Sequence, residues 1–336
     1  MTSKAAALWL AAIAGCSPIE FDSGIGSDAS VQPGSDGSSP DGSSSPDGVV
    51  LSPQLDAFGL TMVYPTKAGK SVWVMAADPL DDSRAPTEYS NSPNFAANDD
   101  GSFKVTKSQV RWNVYQANGF HEDTLVLDQG ELAKRGYMQD TMDWKNVEVT
   151  AYYRVLHYTS STTNGPAHIE HVMGGARQTN DSDVVNGFPM TCEASSYHAN
   201  LYPPTGRAKY EKDLRHTDGY STNNPQDTNA TTPFADEHDW VGYKTVKYVL
   251  PDGLSVKLES YIDRDGTNSW QKIFEFTDDG TWGPTQGMIG SGCGGGEYTV
   301  ITWGGPIVGL RWDNIDDMDV KWATVREIDP TATPAL

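Results

Sequence analysis

The sequence predicts an all-β domain, a two-sheet antiparallel β-sandwich for which a jelly roll is the expected topology. Segments with alternating apolar and polar residues dominate the chain after residue 50. Clusters of Gly, Asp, Asn and Pro separate them, as in PDG (251–253), DRDG (263–266) and DDG (278–280), and short turns of this kind join antiparallel strands. The region from residue 51 to 336, about 285 residues, contains no second linker, and this length is within the range of single all-β domains.

Two long segments show the strand pattern most clearly. In 147–158, apolar or aromatic residues at odd positions alternate with Glu148, Thr150, Tyr152 and Arg154. In 255–263, the apolar face holds Val256, Leu258 and Ile262, and the polar face holds Lys257, Glu259, Tyr261 and Asp263. Further strands are predicted at 71–76, 109–115, 124–128, 243–250, 270–276, 298–303 and 320–328, and one short helix at 130–138.

The first sixteen residues predict a secretory signal of the lipoprotein type. Lys4 precedes an apolar run from Ala5 to Ala14, which is too short to span a bilayer. Cys16 directly follows this run in a pattern that resembles a bacterial lipobox, whose cysteine is lipidated, and Ser17 favours the outer membrane. We therefore expect an extracytoplasmic protein held to a membrane by lipid alone. The alternative is an ordinary cleaved signal with a chance cysteine.

Residues 17–50 predict a disordered tether, because they are rich in Ser, Pro, Asp and Gly and have almost nothing to bury. We therefore divide the chain into a signal (1–16), a linker (17–50) and a β-sandwich domain (51–336). If Cys16 carries lipid, Cys192 and Cys293 remain, and an even pair in an exported domain predicts a disulfide. The formal net charge of −21 argues against a nucleic-acid partner, and we expect a monomer.

The densest group of candidate functional residues lies between 168 and 220, where a basic patch (207–216) stands out in an acidic chain. β-Elimination on a uronate polymer needs a group that offsets the substrate carboxylate, a base for the proton at C5 and an acid for the leaving oxygen. We assign the first role to Arg177 and Lys212 and the proton transfers to Tyr197 or His216. The predicted substrate-binding residues are Tyr152, Arg154, His168, Glu170, His198, Tyr220, Lys257, Glu259 and Tyr261. The alternative is an ordinary solvated sheet face.

Metal binding is not predicted for the His-rich segment, and no cofactor is expected. His168, Glu170 and His171 do not have HExxH spacing, and in a strand the two histidines point to opposite faces. Clustered carboxylates are candidate ligands for a structural Ca²⁺, although they match no EF-hand loop and acidic turn chemistry is the favoured alternative. These carboxylates are Asp263, Asp265, Asp313, Asp316, Asp317 and Asp319.

Several enzyme classes lack their motifs. The sequence contains no GxSxG elbow and no Gly-rich phosphate loop before a helix. Glu237 and Asp239 begin a two-carboxylate glycosidase pattern, but Gly242 stands where its last carboxylate belongs.

The stretches 58–66 and 303–328 look like parts of uncharacterised secreted β-sandwich proteins, which imply no mechanism. The polar-aromatic strands and the basic segments with His and Tyr resemble the secreted concanavalin-type jelly rolls. That set includes alginate- and glucuronan-type polysaccharide lyases and sugar-binding modules. HIEH (168–171) resembles the lyases' Gln-x-His strand only weakly. Their other strand motifs, Arg-x-Glu and Tyr-x-Lys-x-Gly-x-Tyr, are not found in the sequence. The resemblance implies a surface protein that engages polysaccharide, with a lyase as the leading hypothesis. The alternatives are a non-catalytic carbohydrate-binding lipoprotein and a structural surface protein.

Overall fold

β-Strands make up the regular structure of the residues that the computed structural model describes. These residues are 54–78, 82–85, 94–106, 110–116, 142–159, 166–174, 184–185, 188–189, 195–214, 220–234, 239–285, 296–305 and 307–336. The strands are β1 Val72–Val74, β2 Asn94–Ala97, β3 Phe103–Thr106, β4 Val110–Tyr115, β5 Val147–Tyr158, β6 His168–Met173, β7 Val184–Val185, β8 Phe188–Pro189, β9 Ser196–Tyr202, β10 Arg207–Asp213, β11 Gln226–Asp227, β12 Val241–Val249, β13 Val256–Asp263, β14 Gln271–Asp278, β15 Ile307–Asp313 and β16 Ile315–Glu327.

The strands form two large antiparallel sheets. The eight-stranded sheet has the order β14-β13-β12-β5-β16-β3-β2, and β1 also pairs with β16. The six-stranded sheet has the order β11-β10-β9-β6-β15-β4, and β7 pairs with β8 in a separate ribbon. This architecture confirms the predicted all-β, two-sheet antiparallel fold.

The core lies between the inner faces of the two sheets. Val147, Val149, Ala151, Tyr153 and Val155 of β5 all belong to it, which confirms the predicted alternation along this strand. The six-stranded sheet contributes large side chains of its own, among them Trp112 and Trp312, each at most 1% exposed. Full burial of one such apolar side chain stabilises a fold by about 1.5–3 kcal/mol.

Tight turns join β12, β13 and β14 at two of the predicted turn sequences. Gly253 and Gly266 adopt φ values of 69° and 64°, in the left-handed region that glycine enters without a steric cost. The turn residues therefore determine that these three strands follow one another as hairpins.

One predicted strand is wrong, and nine strands of the described residues were not foreseen: β2, β3, β6, β7, β8, β9, β10, β11 and β15. Residues 298–303 form no strand, because their backbone groups bond to side chains: Ile301 N–H donates to Tyr197 Oη, and Trp303 O accepts from Lys247 Nζ. The unforeseen strands β6, β9, β10 and β15 lie in the six-stranded sheet, and every residue of β6 and β9 is buried. In β6 and β10 a polar residue on the inner face, His171 and Lys212 respectively, interrupts the period-2 pattern.

Other expectations fall outside the described residues. They are the signal and linker with Cys16, the strand 124–128, the helix 130–138, and Cys192 and Cys293. Within the part of the chain that is described, no helix has the length and apolar character needed to cross a membrane.

Candidate functional site

The candidate site lies on the outer face of the six-stranded sheet, away from the core. Successive residues of a strand point to opposite faces, and β9 places Tyr197, Ala199 and Leu201 in the core. His198 and Asn200 therefore lie on the outer face, where they are nevertheless at most 1% exposed. The sheet thus carries a second buried layer, which is polar.

One row of side chains crosses this face from strand to strand. Each member is the direct cross-strand partner of the next: Arg111, Arg311, Glu170, Asn200, Lys209 and Gln226. All six are polar, and the two at the centre, Glu170 and Asn200, are each 1% exposed. A polar row with a shielded centre differs from an ordinary solvated sheet face.

A cavity of about 390 Å³ opens on this face. Its volume is within the range of small-molecule sites, and its lining is unusually rich in charge. The lining residues are Pro166, His168, Glu170, Tyr202, Arg207, Lys209, Glu211, Tyr220, Asn224, Arg311 and Asp313.

Glu170 is the centre of the hydrogen-bond network in the cavity floor. Its Oε1 lies 2.5 Å from His198 Nδ1, and its Oε2 lies 3.3 Å from both His168 Nε2 and Arg311 Nη1. Burial alone would raise the pKa of this carboxyl, but the charges of Arg311 and His198 and the hydrogen bonds to both histidines lower the pKa well below its usual value. Glu170 is therefore ionised and orients both imidazole rings.

The tautomer of His168 follows from its contacts. Its Nδ1 lies 2.9 Å from Pro166 O, and a carbonyl only accepts, so Nδ1 carries a proton. Its Nε2 faces two carboxylates, Glu170 Oε2 at 3.3 Å and Asp313 Oδ2 at 3.7 Å. Burial disfavours the charged ring, but the hydrogen bond and charge of Glu170, together with the charge of Asp313, raise the pKa of His168 above its ordinary value.

Two arginines hold Asp313. Arg311 Nη2 lies 2.5 Å from Asp313 Oδ2, and Arg111 Nη1 lies 2.9 Å from Asp313 Oδ1. Burial raises the pKa of Asp313, but the two guanidinium charges outweigh it and lower the pKa below the ordinary value. Asp313 is therefore a fixed anion beside Glu170.

Arg207 differs from the other arginines of the site. Its guanidinium carbon lies 3.7 Å from the ring centroid of Tyr202, a cation–π contact. No carboxylate of the described residues forms an ion pair with it, and its Nε is buried without a hydrogen-bond partner. The neighbouring Lys209, by contrast, is paired with Glu211. Arg207 is thus a positioned cation in the cavity wall.

Asn200 is a buried amide with unmet hydrogen bonds. Neither its Oδ1 nor its Nδ2 has a partner, and the residue is 1% exposed. A buried polar group left unsatisfied costs about 1–3 kcal/mol. Asn200 therefore weakens the fold at the centre of the polar row.

Tyr220 connects the cavity to the histidine network. It lines the cavity, and its ring contacts that of His198 edge-on, with centroids 5.6 Å apart. His198 in turn bonds to Glu170 through Nδ1 and to Ser196 Oγ through Nε2, at 2.9 Å. Glu170 and Ser196 thus hold the ring against which Tyr220 packs.

Of the predicted site residues that the structure describes, four come together and seven lie elsewhere. His168, Glu170, His198 and Tyr220 converge at the cavity. Arg177 and His216 lie outside the described residues. Tyr197 and Lys212, predicted to be catalytic, point between the sheets instead, because each binds Asp278 Oδ2 in the core, at 2.7 and 3.0 Å.

The remaining five predicted substrate-binding residues belong to the eight-stranded sheet. Each is paired within that sheet. Tyr152 bonds to Asp263, Arg154 to Asp319, Lys257 to Glu275, and Glu259 to both Tyr261 and Lys272. These residues therefore do not share a surface with the cavity.

The predicted calcium ligands do not form one cluster. Asp313, Asp316, Asp317 and Asp319 pair with Arg311, His157, Lys104 and Arg154 respectively, and Asp263 accepts hydrogen bonds from Tyr152, Thr267 and Asn268. A different group does converge within the described ranges: one ligand atom each of His168, Glu170 and Asp313, all within 4.8 Å of one another.

Sequence reasoning missed the cavity residues Tyr202, Asn224 and Arg311, named Asp313 only as a candidate calcium ligand, and included Arg207 and Lys209 only in a basic patch. A usable signal exists. His168 and Glu170, and likewise Arg311 and Asp313, are two residues apart on one strand, and such pairs share a face.

Comparisons with known proteins find structural neighbours but no family. A Bacillus subtilis protein of unknown function with a galectin-like fold is 11% identical, with a TM-score of 0.36, over 78% of this chain and 98% of its own. An endo-β-1,4-glucuronan lyase from the fungus Trichoderma reesei is 8% identical, with a TM-score of 0.36, over 81% and 99%. The VIP36 exoplasmic/lumenal domain, in its Ca²⁺- and mannose-bound form, is 10% identical, with a TM-score of 0.34, over 73% and 87%. No family model and no curated protein matches the chain. Likeness at this level assigns no function, which must be argued from the site.

Proposed function

We propose that the protein binds an acidic polysaccharide in the cavity on the six-stranded sheet. The observation that carries this proposal is Arg207, a cation in the cavity wall that stacks on Tyr202 and has no carboxylate partner among the described residues. A uronate carboxylate would supply that partner, because guanidinium and carboxylate form paired, charge-assisted hydrogen bonds.

The rest of the lining suits the hydroxyl groups and ring faces of a sugar. Tyr220 offers a half-buried aromatic ring at the cavity, and aromatic rings pack well against the apolar faces of sugars. Asn224 and the ion pair of Lys209 with Glu211 supply donors and acceptors for hydroxyl groups. Asn200 lies beneath this lining, between Glu170 and Lys209 in the polar row, and its buried amide has no hydrogen-bond partner.

Cleavage of the bound glycan by β-elimination is the second candidate function, and Tyr220 favours it. In this reaction the bonds from C5 to hydrogen and from C4 to the leaving oxygen break, a C4–C5 double bond forms, and the proton passes to the leaving oxygen. Glu170 is already bound by Arg311 and two histidines, whereas Tyr220 brings a phenol to the cavity beside His198. Arg207 would offset the carboxylate, and Tyr220 would take and return the proton.

The test for binding compares two arginines that both lie over aromatic rings. Arg207→Met removes the cavity cation, whereas Arg264→Met removes a guanidinium 5.0 Å from the ring of Phe234, outside the cavity lining. Calorimetric titration of the full chain with uronate polymers should show a loss of about 10- to 100-fold in affinity for the first variant and none for the second. Equal affinity for a neutral glucan and a uronate polymer would overturn the proposal.

The test for cleavage uses the ultraviolet absorbance of the unsaturated uronate that β-elimination forms. Tyr220→Phe should abolish the rise in absorbance while affinity for the polymer is kept, since the hydroxyl alone is lost. Binding without any rise in the wild-type protein would leave a binding protein and exclude the lyase.

We further propose that Cys16 anchors the domain to a bacterial membrane and that residues 17–50 hold it off that surface. The sequence pattern at 13–16 supports this placement. Incorporation of labelled fatty acid into the wild-type chain, and its loss in Cys16→Ser, would be the expected result. Labelling that persists in the variant would contradict it.

A further inference from the structure

We propose that His168, Glu170 and Asp313 form a binding site for a divalent transition-metal ion of the Zn²⁺ type in the cavity floor. One ligand atom of each residue lies within 4.8 Å of the others, and all three side chains are buried. The three residues come from two neighbouring strands, β6 and β15, whose register places His168 directly opposite Asp313. The rigid sheet therefore sets the geometry of the site.

The hydrogen bonds of His168 prepare it as a ligand. Nδ1 donates to Pro166 O, at 2.9 Å, so the other ring nitrogen is directed at the two carboxylates. Metal-binding histidines usually donate their second N–H to a carbonyl or carboxylate in this way. Two carboxylate oxygens and one ring nitrogen thus converge in the cavity floor.

The distances fit a small tetrahedral ion. His168 Nε2 lies 3.3 Å from Glu170 Oε2 and 3.7 Å from Asp313 Oδ2. Zinc bonds of about 2.0–2.2 Å in a tetrahedron place neighbouring ligand atoms roughly 3.3–3.5 Å apart. Both distances from His168 Nε2 are therefore close to the spacing that a tetrahedral ion requires.

The ligand chemistry selects among metals. One imidazole with two carboxylates suits Zn²⁺, whereas Ca²⁺ and Mg²⁺ prefer oxygen ligands alone. All three residues line the cavity, so the remaining coordination position faces the space assigned to the glycan.

The neighbouring arginines both support and weaken such a site. Arg111 binds Asp313 Oδ1, and an outer hydrogen bond of this kind fixes the orientation of a ligand. Arg311, in contrast, bonds to Asp313 Oδ2 and Glu170 Oε2, the two oxygens that face His168, so an ion must displace its guanidinium from both of them. The positive charge of the two arginines repels a cation, so we expect affinity well below that of a structural zinc site.

The test is a calorimetric titration of the chelator-treated full chain with Zn²⁺. We expect one ion per chain at this site and a loss of affinity of at least tenfold in His168→Gln and in Asp313→Asn, because even outer-shell changes cost about 10- to 100-fold. The matched control is His157→Gln: His157 Nδ1 lies 2.5 Å from Asp316 Oδ1 at the surface, and no third ligand joins this pair among the described residues. The control should bind Zn²⁺ like the wild type.

Retained affinity in His168→Gln, or no saturable binding to the wild type, would overturn the proposal. If the variants do not fold, the absorption spectrum of Co²⁺ bound to the wild-type chain tests the proposal without them. We expect absorption bands of four- or five-coordinate Co²⁺. Zn²⁺ should displace this ion and remove the bands, whereas excess Ca²⁺ should not. Co²⁺ bound as a six-coordinate aqua ion would contradict the proposal. No glycan is present, so failure here leaves the proposed glycan binding standing.

Discussion

Asn200 and Glu170 face each other across the β6–β9 pairing, each 1% exposed, yet their hydrogen bonding is opposite. Glu170 binds two histidines and an arginine, whereas neither polar atom of the Asn200 amide has a partner. The fold satisfies the hydrogen bonds of Glu170, whereas the unpaired amide of Asn200 lowers the stability of the fold. Because its cross-strand neighbours Glu170 and Lys209 both line the cavity, we propose that the cost at Asn200 is tied to ligand binding.

Replacement of Asn200 by Leu should separate stability from binding. The variant removes the buried, unsatisfied amide at similar volume, so the free energy of unfolding should rise by about 1–2 kcal/mol. Affinity for uronate polymers should fall at the same time. Denaturant unfolding and calorimetric titration measure the two effects. Thr150→Val is the control: its buried Oγ1 also lacks a partner but belongs to the other sheet, so only stability should change.

Lys212 should prove structural. Its Nζ and the Asp278 carboxylate form a fully buried ion pair, and Tyr197 donates to the same oxygen. Lys212→Met should therefore lower the free energy of unfolding by about 3–5 kcal/mol, because it leaves Asp278 buried without its counter-charge. Addition of Asp278→Asn should recover part of that loss.

The control for Lys212 is a lysine on the same strand. Lys209 pairs with Glu211 at about one-fifth exposure, so Lys209→Met should cost less than about 1 kcal/mol. Denaturant titration of the three variants gives the values. A loss of turnover in Lys212→Met without a loss of stability would restore the catalytic role first assigned to it.

Glu148 should make stability sensitive to acid. It binds Lys244 at 2.9 Å and Arg326 at 2.6 Å, and accepts the N–H groups of Val63 and Tyr64. Burial raises its pKa, but the charges of Lys244 and Arg326 outweigh this and lower the pKa below the usual 4.5. The charged form therefore contributes stability that is present above about pH 4.5 and is lost as the pH falls through the folded-state pKa.

Glu148→Gln should remove that contribution. We expect a loss of about 3–5 kcal/mol at neutral pH, since two buried cations lose their counter-charge, and a smaller difference from the wild type in acid. Unfolding by urea at several pH values measures this. Glu275→Gln, at a surface carboxylate that pairs with Lys257 and Lys272, should change stability by less than about 1 kcal/mol at any pH.

The sequence predicts the fold better than the site, for a physical reason. Alternation along 147–158 predicts one apolar and one polar face, and the structure turns the apolar face to the core. In the six-stranded sheet, His171 of β6 and Lys212 of β10 place polar groups on the inner face and interrupt the pattern, whereas β9 alternates and was still not predicted. Polar residues such as Tyr152 and Lys257 were grouped with the site because a pattern reveals a face but not which sheet it belongs to.

Convergence across strands is what the sequence alone does not contain. Asp313 joins His168 and Glu170 only because β15 pairs with β6, a pairing between strands far apart in the chain. Lys212 belongs to a basic segment, but its strand position turns it inward, toward Asp278 of the other sheet. The spacing of residues within one strand therefore shows which side chains share a face. Which side chains come together at the cavity depends on the register between strands.

Lys247 should make stability depend on pH on the alkaline side. Its Nζ is buried between the sheets and donates to Lys145 O at 2.8 Å and Trp303 O at 3.0 Å. Burial lowers the pKa of this amine from 10.5 to about 7, although the charge of Glu327 opposes the shift. Between these two pKa values the unfolded chain holds one proton more than the folded chain at this position. The free energy of unfolding should therefore rise with pH by at most about 1.4 kcal/mol per unit.

Lys247→Met should remove this slope. The variant leaves two carbonyls without this donor, so it should be less stable than the wild type at about pH 9. The difference should shrink toward about pH 7, because burial of the charged amine then destabilises the wild type more. Urea unfolding of both proteins across this range measures the difference between the curves. Parallel curves would show that Lys247 stays protonated in the folded state. In that case the two carbonyls stabilise a buried ammonium, and the segment 296–305 is held by a charged rather than a neutral donor.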